Sequence, residues 1–88
     1  MSAIQKLMEQ TYSWAVEAGD VKNFELSKSY MDDVRDFNEV AYLLSAGYTS
    51  AAAKELNEMD TAPREEMVLA IQQDYGNEML SQLGWEVS

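Results

Sequence analysis

The 88-residue chain contains no histidine and no cysteine. Those two absences remove the commonest transition-metal ligands, the usual acid/base near neutral pH and the strongest side-chain nucleophile. Disulfides and thiolate-bound zinc are excluded as staples, so a domain of this size must hold together by packing or with help from a partner subunit. A serine nucleophile would need a lysine as its activating base. The one adjacent pair, Ser27-Lys28, diverges on a helix, because neighbouring residues do not share a face. There is also no glycine-rich phosphate-binding pattern. These exclusions predict a protein that is not an enzyme, with no cofactor and no metal.

Basic residues are scarce as well: six Lys and Arg stand against sixteen Asp and Glu, a net charge of −10. Residues 1–19 carry one base and two acids, 20–47 three and six, and 48–88 two and eight. No segment offers the cationic face that binds a phosphate backbone, so direct nucleic-acid binding is not expected. Residues 38–50 have the helix, glycine turn and helix of a helix-turn-helix, but the second helix offers three Ala, one Lys and one Glu, too few donors to read bases. The first nine residues have neither the charged start nor the apolar run of a signal peptide, and no later stretch is long and apolar enough to span a bilayer. The expectation is a soluble, cytoplasmic protein that does not engage membranes.

With one proline, four glycines and no alternating runs of β-branched residues, the remaining pattern is helical. An apolar fraction of 47% is enough for one core, so the charge does not imply disorder. The fold class is all-α, a single-domain bundle of four to five helices covering residues 1–88. The first helix is predicted over 2–18, with Ile4, Leu7, Met8, Thr11, Tyr12, Ala15 and Ala18 on one stripe and Gly19 as its stop. Residues 20–27 read as a short helical turn or a loop folding Val21, Phe24 and Leu26 over the core. A long helix starts near Ser27 or Ser29, carries Asp32 and Asp33 in its first turns, displays Tyr30, Val34, Phe37, Ala41 and Leu44, and ends at Gly47. Thr49 or Ser50 caps a shorter helix to about Met59, Asp60-Thr61-Ala62-Pro63 starts another that stops at Gly76, and Asn77 caps a last one over 78–83. The predicted core is Ile4, Leu7, Tyr30, Val34, Phe37, Ala41, Leu44, Leu56, Val68, Ile71 and Leu80.

Gly47-Tyr48, with Val68 and Ile71 on a later helix, resembles the ubiquitin-associated three-helix module, where a Gly-aromatic turn and an apolar pair on the third helix make the binding patch. The resemblance covers roughly half the chain and departs from the family at Ala46, where Met is usual, and in the loop before the third helix. It implies a compact helical bundle and nothing more.

Two kinds of surface remain as functional candidates. Six Met, five Tyr and two Trp exceed what so small a core needs, and adaptable thioethers and amphipathic aromatics favour protein contacts. Trp14, Tyr42, Tyr48 and Trp85, off the apolar stripes or at helix ends, are the candidate contacts with another protein or with a second copy in an oligomer. The second kind is acidic: Asp32, Asp36, Glu39, Glu55, Glu58, Glu65 and Glu66, joined by Asp33 and Asp60. Such a surface suits an inhibitor, viral ones included, that mimics nucleic acid and occupies a basic cleft. Asp32, Asp36 and Glu39 also share a helix face at i, i+4 and i+7. Without an EF-hand ladder or a histidine, that spacing reads as a solvated face rather than a metal site.

Overall fold

The structure, a computed structural model, describes residues 2–85 and contains five helices and no strand among them: α1 (Ala3–Asp20), α2 (Phe24–Ser45), α3 (Thr49–Glu58), α4 (Thr61–Tyr75) and α5 (Asn77–Gln82). The all-α bundle expected from the sequence is the fold observed. Helix α1 packs along α2, α3 returns along α2, α4 packs against α1, and α5 closes on α4. The molecule is elongated, 41 × 26 × 25 Å.

Its core is built where these helices converge. Phe37, Val40, Ala52, Leu56, Met67 and Ile71 are completely buried, with Ile4, Leu44, Met59, Ala70, Leu80 and Leu83 around them. Leu7, Ala41 and Val68 pack on its edge, while Tyr30 and Val34 are only half-buried. Met67 fills space that aliphatic periodicity alone did not assign, as a flexible thioether can.

Helix starts explain most departures from the sequence reading. Ser2 caps α1 through a capping box with Gln5, so the first helix begins as expected. It does not stop at Gly19. The helix runs to Asp20, and Lys22 takes the left-handed conformation (φ 63°) that turns the chain. Asn23, not Ser27 or Ser29, then caps α2 by accepting from the Leu26 amide. Residues 20–27 are therefore the end of α1, a tight turn and the first turn of α2, and Val21 and Phe24 do not cover the core: Val21 is 77% exposed and Phe24 67%. Starting α2 earlier moves Asp32 and Asp33 from its first turn to its interior, so helix-dipole stabilisation does not account for them.

Later boundaries shift by a residue or so. Tyr48 rather than Thr49 or Ser50 holds the N-cap position of α3, and Gly76 rather than Asn77 precedes α5. Gly47 and Gly76 have φ of 83° and 93°, values that a β-carbon disfavours, which is why both helices that precede them end there. Tyr12, expected on the α1 core stripe, is half in solvent.

Candidate functional site

The α1/α2 hairpin is longer than the bundle beside it. Glu66, near the start of α4, lies level with Trp14, and Asp74 at the other end of α4 meets the start of α1. Among the described residues, the notch beyond Trp14 and Tyr30 is lined by the last turns of α1, the first turns of α2 and the turn between them. Small residues make that pairing close: Ala15 and Ala18 are buried in the seam, and Ser27 donates to the Ala15 carbonyl at 2.7 Å. The larger side chains are pushed to the flanks. Of the ten large apolar residues exposed among those described, six lie between residues 12 and 31: Tyr12, Val16, Val21, Phe24, Leu26 and Met31. Trp14, Ala18, Val21, Leu26 and Tyr30, with Glu17, line one open notch on this hairpin.

Of the four aromatic contact candidates, Trp14 is half-buried against Tyr30 with ring centroids 5.7 Å apart. It belongs to the notch just described. Tyr42 is 63% exposed and borders a second shallow groove with Met8 and Tyr75. Tyr48 is exposed alone at the α2/α3 turn. Trp85 packs on the core at the far end of the chain, its ring under the Arg64 guanidinium at 5.7 Å. The four do not form one patch. What the sequence reading missed was Val21, Phe24 and Leu26, and the signal was Asn23: taken as a cap, it makes α2 longer than its neighbours and leaves its start without cover.

The acidic candidates do converge. Asp36 and Glu39 of α2 face Glu55 and Glu58 of α3 across a polar groove, with Arg35 and Met59 at its edge. Further along α2, Asp33 is pushed up to about 6, first by partial burial and then by repulsion from Asp36, Asp60, Glu66 and Asp32. Glu55 is raised by loss of solvation and by Glu39, Glu58 and Asp36, with Lys54 opposing. The ion pairs of the cluster lie along α2: Lys28 reaches Asp32 at 3.6 Å, and Arg35 reaches Asp32 and Asp36 at 3.7 Å each. Each pairs an exposed cation with a partly exposed carboxylate and carries small energetic weight. Glu65 stands about 100° round the α4 axis from Glu66 and is exposed outside the cluster.

No group of three or more His, Cys, Asp or Glu side chains among the described residues is arranged to hold a metal ion, and no described helix is long and apolar enough to cross a membrane. The Gly47, Tyr48, Val68 and Ile71 patch suggested by the ubiquitin-associated module is not presented, because Ile71 is fully buried and Val68 half-buried. No family model, curated protein or solved structure matches the chain.

Proposed function

We propose that the chain is a small, non-enzymatic interaction module of the cytoplasm that engages a protein through the overhanging end of its α1/α2 hairpin. The observation carrying this reading is the concentration of exposed apolar side chains there, Val21 and Phe24 above all, on a protein otherwise covered in carboxylates. Apolar groups left on a rigid helical pair cost solubility and leave a contact ready to form. A photo-crosslinking amino acid placed at Phe24, with one at exposed Lys54 as control, tests it. A discrete adduct from position 24 that excess unmodified protein competes away supports the reading. The same adducts from both positions would refute it.

The acidic face favours a second reading, an inhibitor that mimics nucleic acid in a basic cleft. Helices α2, α3 and α4 contribute carboxylates to it, with Asp60 beside them, and partial burial together with their mutual repulsion holds Asp33 near 6. Binding of that kind is steered by charge and falls steeply with salt. Retention on cationic DNA- and RNA-processing enzymes at low salt, lost when Asp36, Glu39, Glu55 and Glu58 are changed to amides, would support it. No retention across the panel would dismiss it.

A further inference from the structure

We propose that the occupant of the hairpin end is a second copy of the chain, the two hairpins pairing about a two-fold axis so that Val21 and Leu26 of each pack onto the notch that the other's Trp14, Ala18 and Tyr30 line. This rests on the interaction-module reading and names its partner.

Charge argues for a copy of the same molecule. A protein at −10 repels itself over most of its surface, and the acidic face on α2, α3 and α4 is the worst place for two copies to meet. The stretch from Tyr12 to Met31 is different: Glu17, Asp20 and Glu25 alternate with Lys22 and Lys28, leaving a net −1. A two-fold pairing of this stretch offers Lys22 of one copy the carboxylates of the other, while Lys28 stays with its own Asp32 at 3.6 Å. A foreign cationic partner would be drawn to the acidic face instead. The hairpin also projects at one end of a molecule 41 Å long, so end-to-end pairing separates the acidic bodies by more than the roughly 8 Å screening length at physiological salt.

Area sets the strength. The exposed parts of Val21, Leu26, Trp14 and Tyr30, which line the notch together, offer on the order of 300 Å² per copy, the lower end of the largest patches on monomers. A standard interface takes about 800 Å² from each partner. The charged rim supplies the balance, so the dimer forms reversibly in the micromolar range or weaker rather than as an obligate pair.

Sedimentation velocity on the full chain from about 1 μM to 1 mM tests this. The expected result is a monomer–dimer equilibrium that Val21→Asp and Leu26→Asp each weaken at least about tenfold, with far-UV circular dichroism unchanged because both sites are exposed. Tyr42→Ser and Tyr48→Ser leave it as it was, and added salt does not dissociate it. A single monomer at the highest concentration overturns the proposal, as does a dimer that the Val21 and Leu26 variants leave intact. If the chain stays monomeric while position 24 still gives a competed adduct with another protein, self-association fails and the module reading survives. If neither occurs, both fall.

Discussion

The Asp74 carboxylate accepts from the Ala3 amide at 2.7 Å, across 71 residues of chain, and from the next amide, Ile4, at 2.9 Å. The end of α4 thereby caps the start of α1, while Ser2 takes the Gln5 amide. All four amides left open at the helix start, those of Ser2, Ala3, Ile4 and Gln5, are satisfied by side chains, and the charge sits at the positive end of the α1 dipole. Loss of solvation works against ionisation at Asp74, but the Ile4 and Ala3 amides and the Ser2 hydroxyl outweigh it and hold the carboxyl below the usual range. A carboxyl lowered in the folded state contributes stability above its unfolded value, which is lost as pH falls through the folded one. Asp74→Asn is expected to cost about 1 kcal/mol at neutral pH, the site being exposed, with the gap to the parent closing in urea melts below about pH 4.

Asp33 works in the opposite sense. Its folded value of about 6 lies above the ordinary 3.8, so its contribution is full below the ordinary value and lost as pH rises through about 6. Above that, the ionised group is held against Asp36, Asp60, Glu66 and Asp32. Asp33→Asn is expected to stabilise the protein at pH 7.5 by about 1 kcal/mol after allowance for solvent screening, and by nothing near pH 4. The gain should shrink in high salt, since repulsion among exposed carboxylates is screened. Paired chemical melts at the two pH values measure it; a loss of stability at pH 7.5 would show that Asp33 is not strained.

How much of this was legible in the sequence depended on the chemistry of each segment. The stripe holding Phe37 and Leu44, and the stops at Gly47 and Gly76, could be read because apolar period and glycine geometry are local properties. The start of α2 could not, since Ser27, Ser29 and Asn23 are all competent caps and the choice falls to the contact between the Ser27 hydroxyl and the Ala15 carbonyl, twelve residues away. That one boundary decided whether Val21 and Phe24 covered the core or faced water. Convergence of Asp36 and Glu39 with Glu55 and Glu58 was likewise hidden, because it depends on how α3 returns along α2.

Two glycines are expected to respond oppositely to alanine. Gly19 is helical, and a methyl there would meet the Ser27 hydroxyl at 3.4 Å, the near limit of ordinary contact. Gly19→Ala should gain about 0.5–1 kcal/mol by restricting the unfolded chain. Gly47 has open space around it but φ of 83°, so Gly47→Ala should lose about 1–2 kcal/mol through backbone strain alone. Thermal melts of the two variants separate room from conformation.

Trp85 offers the sharpest choice between partner contact and core. Its ring packs against the buried cluster that contains Leu80 and Leu83, and the Trp85 amide bonds the Leu80 carbonyl at 2.9 Å. Arg64 covers the outer side: its guanidinium sits over the ring while reaching the Asn57 carbonyl at 3.4 Å and Thr61 Oγ1 at 3.5 Å, both long. Arg64 Nε is buried without a partner, so the residue is held more by stacking than by hydrogen bonds. If Trp85 completes the core, Trp85→Ala costs about 2–3 kcal/mol through lost packing and leaves crosslinking from position 24 untouched. Arg64→Ala should cost about 1 kcal/mol and shift Trp85 emission to the red, read in a Trp14→Phe background so that one indole reports. Arg64→Met, which keeps the apolar stem and removes the unpaired Nε, should be less costly than Arg64→Ala. A Trp85→Ala protein as stable as the parent, with the position-24 adduct lost, would instead assign the indole to the partner surface.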